Sequence, residues 1–135
     1  MRVFLDANIL FSAAKSDGAI RELLRRLHAA GHECWVDDYV VFEARRNLVA
    51  KGPDALTAFE TLLRDVRFGA AVAARAGRRD LEWLAEKDRP VLAAAMRLRC
   101  HALVTGDRTH FGAVYGKVFG GVTIHSPRSL AECLS

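Results

Sequence analysis

Apolar residues in this chain occur as short continuous runs and as stripes at helical spacing, and the two alternate. Arg2 to Leu5 is an apolar run that ends abruptly at Asp6-Ala7-Asn8, which predicts a buried strand terminating at an acid. From Gly18 to Ala30, residues Ile20, Leu23, Leu24 and Leu27 recur at i, i+3, i+4 and i+7, one face of an amphipathic helix, with Gly31 as its stop. Cys34 to Val36 is again strand-like, and Asp37 or Asp38 caps a following helix from Tyr39 to Val49 that ends near Gly52-Pro53. A further stripe at Leu56, Phe59, Leu62 and Leu63 predicts a helix from Asp54 to Asp65, and Val66 to Phe68 reads as a short strand.

Between Ala70 and Glu86 the pattern is helical only in its second half, around Leu81 and Leu84, and Gly77 beside Arg78 and Arg79 predicts a break. Asp88 to Arg99 is a helix in which Val91, Ala94, Ala95 and Leu98 share a face, with Pro90 in the first turn and Asp88 at the cap. Ala102 to Thr105 is a buried strand. A loop through Gly116, a strand at Val122 to His125 and a closing helix from Ser129 to Leu134 complete the chain. Strands this apolar, separated by helices, predict a parallel sheet covered on both faces, with the strands' carboxyl ends along one edge.

Composition narrows the class. At 135 residues and 51% apolar content, one domain spanning residues 1–135 is expected, with a core that needs no disulfide or metal. No apolar run approaches the roughly 20 residues of a membrane-spanning helix. The first residues enter a strand directly rather than a secretory leader, so a soluble cytoplasmic protein without a membrane partner is expected. Cys34, Cys100 and Cys133 are an odd set without ligand spacing, which predicts reduced thiols. The net charge of +4 and pI near 9.3 permit a nucleic-acid partner without establishing one.

Ligands of open α/β sheets gather at the carboxyl ends of the strands, which singles out Asp6 and Asp107. Asp88 begins the helix that feeds the Asp107 strand, and Glu43 lies in the first turns of the helix after the second strand. Carboxylates brought together repel, so such a group requires a cation or a basic partner, and no lysine or histidine recurs beside these motifs. Hard oxygen donors without sulfur or paired imidazoles select Mg²⁺ or Mn²⁺ and leave positions open for water and a phosphate. Singly, each residue also has an ordinary role: Asp88 as a helix cap, Glu43 as a solvated acid, Asn8 in a turn. His110 reads as structural and stands outside the catalytic set, while Trp35 and Trp83 read as core residues.

Taken together, Val-Phe-Leu-Asp6-Ala-Asn8, Glu43 in Val-Val-Phe-Glu-Ala-Arg-Arg-Asn-Leu, Asp88 in Glu-Lys-Asp-Arg-Pro-Val-Leu, and Leu-Val-Thr105-Gly-Asp107 resemble, in order and spacing, the signatures of PIN-domain ribonucleases. The resemblance spans essentially the whole chain and extends to toxins of VapC-type bacterial toxin–antitoxin systems. It implies an α/β, PIN-like doubly wound parallel sheet of about five strands with helices on both faces. It further implies a Mg²⁺-dependent endoribonuclease, with Mn²⁺ as the alternative ion, and an RNA substrate. An antitoxin partner and a homodimer are implied in the same way.

By the same resemblance Asp6, Glu43, Asp88 and Asp107 are the catalytic, metal-binding acids, and Asn8 and Thr105 support them by hydrogen bonds. A further acid often follows the last motif. Here the chain reads Asp107-Arg108-Thr109-His110-Phe111, so one ion rather than two is expected. The chemistry expected is in-line hydrolysis to a 5′-phosphate and a 3′-hydroxyl. Arg21, Arg25, Arg45, Arg46 and Arg108 are candidate RNA contacts among which the sequence does not choose. A stand-alone RNA-processing PIN nuclease shares all these features. A phosphotransferase of the haloacid-dehalogenase type would need a second Asp where Asn8 stands and a lysine at a strand end, and a silent RNA- or protein-binding scaffold would have lost a carboxylate.

Overall fold

The structure, a computed structural model, describes residues 1–70 and 79–134. In chain order its elements are β1 (Arg2–Leu5), α1 (Ala7–Lys15), α2 (Ala19–Ala29), β2 (Glu33–Val36), α3 (Asp38–Lys51), α4 (Leu56–Leu62), β3 (Arg67–Phe68), α5 (Arg89–Arg97), β4 (Ala102–Val104), α6 (Arg108–Phe111), β5 (Val118–Phe119), β6 (Val122–His125) and α7 (Pro127–Cys133). The strands form one sheet ordered β3-β2-β1-β4-β6-β5. All neighbouring pairs are parallel except β5 with β6.

The sheet grows outward from β1 in both directions: the chain first adds β2 and β3 on one side, then returns to add β4 and β6 on the other. That reversal opens a crevice beyond the carboxyl ends of β1 and β4, where helices leave in opposite senses. Val3, Phe4 and Leu5 of β1 and Leu103 and Val104 of β4 are fully buried, as central strands covered on both faces must be. Phe59, Leu48, Leu92, Phe111 and Leu130 come from the surrounding helices and close the core.

Three local features depart from the sequence reading. Helix α1 follows β1 at once, in a stretch the sequence reading left unassigned: Ile9, Leu10, Ala13 and Ala14 are buried, while Asn8, Phe11, Ser12 and Lys15, at i, i+3, i+4 and i+7, form its less buried side. A sixth strand, β5, pairs with β6 through a turn whose two central residues, Gly120 and Gly121, have φ of 55° and 83°, the left-handed values that a tight hairpin demands. The two-residue strand is too short to leave a pattern.

The third departure is the segment before α5. Leu81 and Leu84 are buried as expected, but they sit on a 3-10 turn, Arg79–Leu81, and the bend after it rather than on a helix. The Arg89 guanidinium takes the carbonyls of Leu81 and Leu84 through Nε and of Glu82 through Nη2, which occupies acceptors a helix would have used. Trp83 is consequently not a core residue: 44% exposed, it stacks on Phe119 with ring centroids 4.9 Å apart. Trp35 is half-buried under the Arg2 guanidinium. The expected break at Gly77-Arg78 lies outside the described residues. Cys34 and Cys100 are buried and Cys133 is exposed, all as free thiols. Among the described residues no helix is long and apolar enough to cross a membrane.

Candidate metal centre

Asp6 is the first residue past β1, and its side chain begins α1 by accepting from the Ala7 amide at 2.7 Å. Its other oxygen, Oδ2, accepts from the Thr105 hydroxyl at 2.8 Å and from Asn8 Nδ2 at 3.2 Å. Thr105 follows β4 and is fully buried, and because its one proton goes to Asp6, its oxygen is left to accept from the Asp107 amide at 3.1 Å. Asn8 completes the brace by accepting from the Gly106 amide at 2.8 Å. The loops leaving β1 and β4 are thus tied together at the crevice.

Glu43 projects from α3, and Asp88 stands immediately before α5. Asp88 was expected to cap that helix, and it occupies the cap position without making a side-chain cap bond. Its carboxylate instead meets the loop after β4. Asp107 caps α6, accepting from the His110 amide at 3.1 Å. Asp6, Glu43, Asp88 and Asp107 all line one cavity of about 370 Å³, with Asn8, Asn47, Lys51 and Lys87.

His110 was set aside on sequence, yet its Nδ1 lies 2.6 Å from Asp88 Oδ2 and 2.8 Å from Asp107 Oδ2. Both contacts are close without the direction of a hydrogen bond: His110 Nδ1 and Asp88 Oδ2 are buried atoms with no hydrogen-bond partner. Asp88, Asp107 and His110 each offer a donor atom, all within 4.8 Å of one another. Two orphaned buried atoms beside a further carboxylate fit a cation; Asp6 and Glu43 line the same cavity but are not part of this close group. The spacing Asp107-x-x-His110 places both on one side of a helical turn, a signal present in the sequence.

The electrostatics agree with that fit. Burial raises the Asp6 carboxyl to about 6; the Thr105 hydroxyl and Ala7 amide oppose the rise, while Asp88 and Glu43 add to it. Burial also raises Asp88, with the His110 imidazole opposing and Asp107 adding. A dication would relieve both.

The candidate arginines do not line this cavity. Arg21 donates to the Ala13 and Ala14 carbonyls at the end of α1, at 2.8 and 3.1 Å. Arg25 pairs with Asp17 and Glu22, and Arg45 with Glu60. Arg46 and Arg108 are exposed, away from the lining. The basic groups at the cavity are Lys51 and Lys87. Glu43, Asn47 and Lys51 fall at i, i+4 and i+8 on α3, so the spacing alone set the lysine on the acid's face.

The sheet order and flanking helices define a PIN-like α/β fold. No protein-family model matches the chain, and no curated protein does. Among solved structures it is similar to a chain of VapBC2 from Rickettsia felis bound to a DNA fragment from their promoter, with a TM-score of 0.69 and 16% identity over 93% of this chain and 98% of that one. It is also similar to a chain of VapBC-1 from nontypeable Haemophilus influenzae, with a TM-score of 0.60 and 12% identity over 95% and 99% of the two chains. At these identities the likeness is one of fold.

Proposed function

We propose that the protein is a divalent-metal-dependent endoribonuclease of the PIN type and the toxin of a toxin–antitoxin pair. One observation carries the nuclease reading: four acids far apart in sequence line a single cavity at the carboxyl edge of the sheet, where buried donor atoms are left without partners. Asp6, Glu43, Asp88 and Asp107 would hold the ion, Mg²⁺ or Mn²⁺. When bound, such an ion supplies Lewis acidity toward a phosphoryl oxygen and acidifies a water.

The chain's own residues do the rest. Thr105 and Asn8 fix the direction of the Asp6 carboxylate. Lys51 and Lys87 hold backbone phosphates on either side of the scissile one. Water adds to phosphorus and the 3′ oxygen departs with a proton, leaving a 5′-phosphate and a 3′-hydroxyl. Position 8, where an aspartyl-phosphate mechanism would need a second Asp, holds an amide that bonds the Gly106 amide and Asp6 together.

The toxin role is supported by the fold's likeness to VapBC complexes, which are toxin–antitoxin assemblies. An antitoxin expressed with the chain would bind it and silence cleavage in the cytoplasm. Homodimer formation belongs to the same proposal and is checked by light scattering. Incubating RNA with the purified protein, in Mg²⁺, Mn²⁺ or chelator, tests the catalytic half. Cleavage should need the metal, fail in Asp6→Asn, and yield 5′-phosphates. Equal cleavage by the variant, or 2′,3′-cyclic phosphate ends, refutes it.

A further inference from the structure

We infer that His110 is a nitrogen ligand of this metal centre, and that the centre therefore favours first-row transition ions such as Mn²⁺ over Mg²⁺. The inference rests on the metal-dependent reading above and deepens it.

Three observations lead there. Nδ1 of His110 approaches oxygens of both Asp88 and Asp107, at 2.6 and 2.8 Å. A buried imidazole and carboxylate that serve only each other align an N–H on an oxygen, because an unmade bond in the interior is costly. Here Nδ1 and Asp88 Oδ2 are buried, adjacent and unaligned, and the Asp88 side chain is only 10% exposed. With the Asp107 carboxylate they form a group of donor atoms within 4.8 Å of one another, a spacing that one cation can bridge. Finally, the backbone directs His110: its amide is held by Asp107 Oδ1, so the same turn that caps α6 presents Asp107 Oδ2 and the imidazole side by side.

The chemistry follows from the donor set. Mg²⁺ holds oxygen ligands and gives up its waters reluctantly, whereas imidazole binds first-row transition ions with affinity that rises along the series from Mn²⁺. One nitrogen among the carboxylates therefore shifts selectivity away from Mg²⁺. The chain thus carries an imidazole where a further carboxylate after Asp107 would have kept the centre all oxygen.

Pulsed electron paramagnetic resonance of the Mn²⁺-loaded protein reads the ligand directly. Wild type should show ¹⁴N modulation from a bound imidazole, and His110→Gln should lose it. In His110→Asp, Mn²⁺ still binds but its preference over Mg²⁺, from competition titrations, should fall on the order of tenfold. Mn²⁺ that binds in an Asp6-dependent way without ¹⁴N modulation overturns the ligation by His110 and leaves the nuclease reading standing. Mn²⁺ that fails to bind, or binds equally to Asp6→Asn, overturns both.

Discussion

Removing the Asp6 charge should stabilise the metal-free protein. Asp6 is 4% exposed, and its carboxyl is raised from an ordinary 3.8 to about 6, chiefly by burial. At ~1.4 kcal/mol per tenfold change in proton affinity, its ionisation costs the folded state about 3 kcal/mol. The folded state binds the proton more tightly than the unfolded one, so the stability gained from that proton is fully present below 3.8 and is lost as pH rises through 6, where the cost of ionisation is complete. Asp6→Asn keeps a carbonyl for the Ala7 amide but turns an amide nitrogen toward Thr105 and Asn8, at a cost of about 1 kcal/mol. The net gain at pH 7.5 in chelator is about 2 kcal/mol, or roughly 5–10 °C in Tm for a chain of this size. Paired melts of wild type and variant from pH 4 to 8 isolate the effect, since other groups titrate in both. The variant should lead at pH 7.5, and its lead should vanish near pH 4. An Mg²⁺ or Mn²⁺ concentration a hundredfold above Kd should reverse the order, because wild type alone gains about 2.7 kcal/mol from binding. A wild type more stable than the variant in chelator at pH 7.5, or a gap indifferent to pH, would refute the reasoning.

Other consequences are equally direct. Thr105→Val takes the acceptor from the Asp107 amide and leaves Asp6 Oδ2 with Asn8 as its hydrogen-bond donor, and should cost about 1–3 kcal/mol by urea denaturation, with a fall in kcat. Lys51→Ala with Lys87→Ala should raise KM for RNA several-fold and flatten its salt dependence while Mn²⁺ affinity holds, whereas Arg25→Ala should leave cleavage unchanged. Arg89→Met removes the guanidinium donor from three carbonyls before Asp88, of which Leu81 keeps the Leu84 amide. It should lower stability by about 2 kcal/mol and weaken Mn²⁺ binding together, measured by melts and titration.

The residues at the cavity were legible where a strand ended in an acid. Asp6 and Asp107 stand past buried apolar runs, and that contrast survives in a bare sequence. Helix α1 was legible in Asn8, Ser12 and Lys15, which recur at helical spacing opposite Ile9, Leu10, Ala13 and Ala14, and was passed over because it follows the strand without a break. His110 was hidden because one of its neighbours in space, Asp88, comes from elsewhere in the chain, and only the spacing to Asp107 pointed inward. The arginines' own contacts were hidden for a related reason. Their charge is visible in sequence, but the acids and carbonyls that occupy them are not, while Lys51 was legible from α3 periodicity and was passed over.

The sheet's two outer strands, β3 and β5, are each only two residues long. An unpaired strand edge is a template on which another chain can lay its own backbone. Here either template offers a couple of rungs before the chain turns away, too few to hold a foreign strand in register. Among the described residues edge-to-edge stacking of copies therefore finds no long rim strand on which to nucleate, and the buried strands at the centre are shielded from fibrillar self-association by the brevity of those at the rim.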